Sequence, residues 1–264
     1  MQELNLEEVN EYVNDNIVKF HENKIKTLQL LNLKTILKKK NPYLYKAKNI
    51  MIASDLVIDI LEAYLSSSEE KHFGSFLEDL AIFISGKTCK GKKSAATGID
   101  MEFNHKAIHY LVSVKSGPNW GNSSQQNKQE QDFKTAVKVL KQSNHTLNVQ
   151  PVLGICYGKT KTSFLRGYMK VVGQNFWYLI SENKHLYTDI IEPLGYEAKK
   201  HNDKFLEQKS KLINSFTEEF LKDFCVDGQI DWVKVVEFNS GNFDLIKNEK
   251  PKIGKLKKRN KKTA

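Results

Sequence analysis

The chain has 264 residues, 40% of them hydrophobic, and carries 41 Lys+Arg against 31 Asp+Glu, a formal charge of +10. That is enough material for one large domain or two small ones around a buried core, and it excludes disorder of the whole. Apolar runs such as Met51–Ile60 and Leu80–Ile84 are interrupted by charge or Ser well short of the roughly 20 residues a membrane helix needs, so no membrane partner is expected. The opening MQELNLEEVN is acidic and polar, without the basic and apolar segments of a secretory signal, which makes the cytoplasm the default location. Cys89, Cys156 and Cys225 are odd in number and far apart, fitting neither a disulfide framework nor a zinc pair, and are expected as free thiols.

The charge is unevenly placed. Nine basic residues from Lys247 onward against Glu249 give a local +8, leaving +2 for residues 1–246. The stretch 247–264 is therefore expected to be a basic, disordered tail. Two internal clusters suit a phosphate backbone better: Lys34, Lys38, Lys39, Lys40, Lys46 and Lys48, with no acid among them, and Lys87, Lys90, Lys92 and Lys93 just before a strand.

From the N-terminus, Val9, Val13, Ile17, Phe20, Leu28 and Leu31 recur at helical spacing and predict one or two helices over Leu6 to about Lys39, stopped at Asn41-Pro42. Ser54 to about Leu65 reads as a helix behind a Ser cap, and Lys71–Ser85 as another, with Phe73, Phe76, Leu77, Leu80 and Phe83 on one side. The period then changes. Gly98–Phe103 and Ile108–Lys115 read as strands around the turn Asn104-His105-Lys106. Ser123–Lys141 is a long polar helix, Pro151–Tyr157 an apolar central strand, Phe164–Val172 a further strand, Phe176–Ile180 a short helix and Glu197–Phe224 a long one. This order predicts an α/β fold, a central mixed sheet flanked by helices with helical N- and C-terminal extensions. A single domain is expected over 1–246, with a helical region 1–66, a core 67–182 and a C-terminal helical region 183–246.

The chemistry concentrates in Thr97-Gly98-Ile99-Asp100-Met101-Glu102-Phe103 and Tyr110-Leu111-Val112-Ser113-Val114-Lys115-Ser116-Gly117. In an antiparallel hairpin side chains alternate between faces and opposed residues share one. A two-residue loop His105-Lys106 would set Asp100 opposite Leu111; a four-residue loop His105–Ile108 would set it opposite Ser113. Either register puts Asp100, Glu102, Ser113 and Lys115 on one face and Met101, Phe103, Tyr110, Val112 and Val114 on the other. Charged residues on one face suit a solvated sheet. They equally suit a divalent-metal site, in which Asp100 offers a hard oxygen and Lys115 a neighbouring positive charge.

The pattern Gly98-Ile99-Asp100, a hairpin, then Ser113-Val114-Lys115 resembles the metal-dependent PD-(D/E)XK nucleases. Its continuation Ser116-Gly117-Pro118-Asn119-Trp120-Gly121-Asn122-Ser123-Ser124-Gln125 is similar to the type II restriction endonucleases among them, with a likeness over about residues 70–180. The resemblance implies a Mg²⁺-dependent, sequence-specific endonuclease that cuts double-stranded DNA, leaves 5′-phosphates, serves a restriction–modification system and acts as a homodimer. The alternatives are a repair or structure-specific nuclease of the same fold and a catalytically silent DNA binder. Ile99 precedes Asp100 where the family has Pro, and Ser113 stands where the family has Asp or Glu, so one metal oxygen must come from elsewhere. Glu78 is the first candidate, on the helix before the hairpin; Glu102 is the second. By the same resemblance the Val114 carbonyl would be a further metal oxygen. The catalytic set implied is Asp100, Lys115, Glu78 and Ser113, the last contributing a hydrogen bond. Readout would fall to the loop, through Ser116, Asn119, Trp120, Asn122, Ser123 and Gln125, with Lys92 and Lys93 on phosphates; Asn and Gln can pair with adenine edges. Trp120 equally suits the core, and Ser123 equally suits a helix cap.

Gly86-Lys87-Thr88-Cys89-Lys90-Gly91-Lys92-Lys93 comes close to a phosphate-binding loop but puts Lys93 where Ser or Thr must ligate the metal, so no nucleotide cofactor is expected. The seven His residues lack metal-binding spacing.

Overall fold

The structure, a computed structural model, describes residues 1–241, and the basic tail expected over 247–264 lies outside the described residues. Helix α1 (Leu6–Gln29) starts behind Asn5, whose side chain accepts from the Glu7 amide, with Glu7 and Glu8 favourably placed in its first turn. Asn32 and Asn41 cap α2 (Leu33–Leu37) and α3 (Pro42–Ala47) in the same way. The Asn41-Pro42 step ends one helical run and begins the next, because Pro lacks only an amide that a first turn leaves unpaired.

Helix α4 (Ala53–Cys89) corrects the expectation of two helices. It runs unbroken through residues 66–70, and its N-cap is Ile52, without a side-chain cap, rather than Ser54. Ser66-Ser67-Ser68-Glu69-Glu70 contains no Gly or Pro, so nothing forbids the helix from continuing. The apolar pattern lapses there because the helix changes partners. Leu56, Val57 and Ile60 pack with Phe216, Phe220 and Phe224, whereas Phe76, Leu77, Leu80 and Ile84 pack under the sheet. One rigid element thus joins the helical region to the core.

The sheet follows: β1 (Lys92–Lys93), β2 (Met101–His105), β3 (Ile108–Lys115), β4 (Val149–Ile155), β5 (Lys161–Leu165) and β6 (Tyr168–Val172), in the order β1-β2-β3-β4-β6-β5. β3 and β4 pair in parallel through the crossover helix α5 (Ser123–Ser143), as do β4 and β6, while the remaining pairs are antiparallel. The single strand expected over Phe164–Val172 is two, hinged at Arg166-Gly167. In the β2–β3 hairpin Met101 faces Val112, which extends to Asp100 opposite Ser113. This is the second register, but it is closed by a two-residue turn, Lys106-Ala107, both at positive φ (49° and 60°), as the twist of a tight hairpin demands.

Met101, Phe103, Val112 and Val114 pack against α1, α4 and α6 (Gln174–Ser181); Leu111, Leu153 and Ile155 pack against Phe133 and Ala136 of α5. Short helices α7 (Leu186–Asp189) and α8 (Ile191–Leu194) lead to α9 (Ala198–Phe224), the small ribbon β7 (Cys225–Val226) and β8 (Gln229–Ile230), and α10 (Trp232–Ser240). The apolar stripe of α9 is buried against α2 and α4 of the same chain. Among the described residues no helix is long and apolar enough to cross a membrane, and all three cysteines are free thiols.

Candidate active site

The site forms where β2 ends beside β3. Gly98 adopts φ +74°, with Asp132 where a β-carbon would stand, and this lets the chain bury Ile99 and turn Asp100 toward β3. The Asp100 amide still donates to the Val112 carbonyl at 2.9 Å, one step beyond the last ladder pair. Its carboxylate replaces the missing strand: Oδ2 accepts the Val114 amide at 2.6 Å, lies 3.1 Å from the Ser113 hydroxyl and 3.5 Å from the Lys115 ammonium. The two predicted charges thus meet at one edge, both only partly exposed. Lys115 also lies 5.9 Å from the centre of the Trp120 ring, within cation–π range, and Trp120 leans on the core between the sheet and α5.

Glu78 reaches this edge from α4. Burial pushes its carboxyl above the ordinary range, and the negative charge of Asp100 pushes it further, with Lys93, 3.9 Å away, and Lys115 opposing. Glu102 is directed elsewhere. Its carboxylate contacts Lys92 at 3.2 Å, the Ser94 hydroxyl at 3.2 Å and His109 at 4.0 Å, on the α5 side of the sheet.

Three observations bear on a metal. The contacts to Asp100 all fall on Oδ2, so among the described residues Oδ1 has no protein donor. The Val114 carbonyl points to the same side as its amide, past the end of β2 and toward Asp100. Glu78 and Asp100 crowd each other with like charge, which a divalent cation would relieve. Two carboxylates and a backbone carbonyl are hard oxygens of the right kind for such an ion. Among the described residues no group of three His, Cys, Asp or Glu side chains stands at ligating spacing, so a set drawn here depends on backbone oxygen.

Ser113 is fully buried, and its hydroxyl is shared with a residue that no sequence motif singles out. Gln129 of α5 places Oε1 2.9 Å from Ser113 Oγ and donates from Nε2 to the Gly98 carbonyl at 2.9 Å. The available signal is positional: Gln129, Phe133 and Ala136 recur on one helical stripe and all are buried, so a polar residue sits where the pattern asks for an apolar one.

The loop residues are divided. Asn122, not Ser123, caps α5: its side chain accepts the Gln125 amide at 3.0 Å while Gln125 Oε1 accepts the Asn122 amide at 2.9 Å. Asn119 and Ser123 are exposed, and Ser116 lies beside Gly74 of α4. Arg166 is held by Glu130 at 3.6 Å and Asn127 at 3.3 Å.

A mixed sheet sheathed in helices that presents a carboxylate and an ammonium together at a strand end has the build of the restriction-endonuclease-like hydrolases. The family model of the type II restriction endonuclease EcoO109I matches residues 7–202, and the chain belongs to that family. It is a type II site-specific deoxyribonuclease whose substrate is DNA, and enzymes of this class generally use divalent metal ions. The match reaches back to α1, well beyond the segment whose motifs carried the resemblance. No curated protein matches the chain.

Proposed function

We propose that the chain makes Mg²⁺-dependent double-strand breaks at a specific DNA sequence, leaves 5′-phosphates, and serves a restriction–modification system. The observation that carries this is the meeting of Lys115 and Asp100 at 3.5 Å beside the free edge of β3. Asp100, Glu78 and the Val114 carbonyl would hold the ion. Bound there, Mg²⁺ would supply positive charge to the phosphoryl oxygens and lower the pKa of a coordinated water.

The chain's own groups do the rest. Asp100 is fixed by the Val114 amide, so its free oxygen is aimed without a loss of side-chain freedom at each encounter. Lys115, beside Asp100 and steadied over Trp120, is placed to orient the attacking water and to offset charge building on the phosphate. Ser113 contributes a hydrogen bond and no charge, so Glu78 takes the part of the second acid. Lys93 stands beside Glu78, where it would meet a phosphate near the cut; Lys92, paired with Glu102, lies further along the same edge. Ser116, Asn119, Trp120 and Ser123, in the segment that follows Lys115, are the candidate DNA contacts, with Asn122 and Gln125 ordering the loop through the cap.

Cutting both strands alike calls for two sites related by a two-fold axis, hence a homodimer on a palindrome. Plasmid incubated with the purified protein and Mg²⁺ should give discrete fragments with ligatable 5′-phosphate ends, and analytical ultracentrifugation should give a dimer. A smear, or intact plasmid on every sequence tried, contradicts the reading.

A further inference from the structure

The six lysines from Lys34 to Lys48 do not form one patch. Lys34 pairs with Asp223 at 2.7 Å and Glu219 at 3.8 Å, and Lys48 with Asp59 at 3.0 Å. Lys38 lies 5.3 Å over Phe238 and Lys46 5.6 Å over Trp232. Lys34, Lys38 and Lys46 brace α2 and α3 against α9 and α10, and Lys48 ties the end of α3 to α4. Lys39 and Lys40 turn the other way. With Lys71, His72, Ser67 and Thr27 they line an open cleft of about 510 Å³ between the end of α1 and the middle of α4.

Of the nearby carboxylates, Asp59 is engaged by Lys48, Glu62 by Lys209 and Glu69 by Lys24, while Glu70 lines a separate pocket with Ser116 and Tyr157 rather than this cleft. Three ammonium groups therefore share a cleft furnished with hydroxyls and, among the described residues, no acid pairs with them. Lys71 precedes Glu78 by seven residues, two helical turns, so both lie on one face of α4, about 10 Å apart along its axis. Exposed Ser75 and small Gly74, which abuts Ser116, occupy the face between them.

We propose that this cleft is a phosphate-binding site distinct from the catalytic edge, taking the sugar–phosphate backbone of duplex DNA without regard to sequence. It rests on the reading that the scissile phosphate lies at Asp100 and Lys115. Lysine suits this task, since an ammonium on a flexible stem holds a phosphate as a point charge and demands no fixed geometry.

The test measures affinity for a non-specific duplex in EDTA by fluorescence anisotropy over a salt series, for wild type, Lys71→Ala, the double variant Lys39→Ala/Lys40→Ala, and Lys34→Ala. Removing one ammonium that neutralises a phosphate should lower the slope of log K against log salt by about 0.9. We expect a fall of about 1 for Lys71→Ala, about 2 for the double variant, and no change for Lys34→Ala, whose ammonium is held by α9. Slopes for the first two equal to wild type, or an equal fall in Lys34→Ala, overturn the proposal. Since binding is read without cleavage, the two readings fail separately. Reduced slopes in a protein that never cuts plasmid support the cleft and contradict the catalytic assignment; unchanged slopes in a protein that cuts do the reverse.

Discussion

The Ser113 hydroxyl and Gln129 Oε1 lie 2.9 Å apart in the interior, and the same hydroxyl is 3.1 Å from Asp100 Oδ2. One proton faces two acceptors. Gln129 cannot turn over to relieve this, because its amide nitrogen already serves the Gly98 carbonyl at 2.9 Å. Gln129 therefore ties the turn before Asp100 to the strand bearing Lys115. Replacing it with Leu strips a partner from a buried hydroxyl and from a carbonyl, an expected loss of about 1–3 kcal/mol by urea unfolding. Cleavage should fall alongside, through a looser Asp100. Unchanged stability and unchanged cleavage would remove Gln129 from the account.

The choice between Glu78 and Glu102 as second acid is open to direct comparison. Glu78 is crowded by Asp100, while Glu102 answers to Lys92 and Ser94. Glu78→Gln should lower single-turnover cleavage at saturating Mg²⁺ by at least about a hundredfold, the upper range even for an indirect partner of a metal ligand. Glu102→Gln should stay within a few-fold of wild type. The opposite ranking would move the metal along β2 toward Glu102.

His21 offers a pH signature away from the site. It stacks on His201 at 4.5 Å between ring centres, and burial, then the charge of His201, then that of Lys24 lower its pKa from 6.5 to about 4. With the folded value below the unfolded one, the unfolded chain takes up a proton first as the medium is acidified. The contribution of neutral His21 is thus full above pH 6.5 and is lost as pH falls toward about 4. His21→Phe should flatten the decline in Tm across that window relative to wild type. Parallel Tm curves would contradict the assignment.

Much of the site could be read from alternation alone. Asp100, Ser113 and Lys115 share a face in either hairpin register, so the uncertain turn did no harm, and the two-residue closure depends on positive φ at Lys106 and Ala107, residues not selected for it. The continuity of α4 was hidden because its two apolar segments answer to different cores. Gln129 was hidden because hydrogen bonds between residues far apart in sequence leave no periodic trace, and the Asn122 cap because its reciprocal partner Gln125 offers the same side chain to readout.

In the proposed reaction Lys115 acts on the phosphate with Asp100 beside it. Single-turnover cleavage of plasmid by Lys115→Ala, with DNA and Mg²⁺ saturating, measures it most directly. The expected result is a fall of about 10²–10³, the size typical of removing one preorganised group that stabilises developing charge. Cutting at the wild-type rate would contradict it.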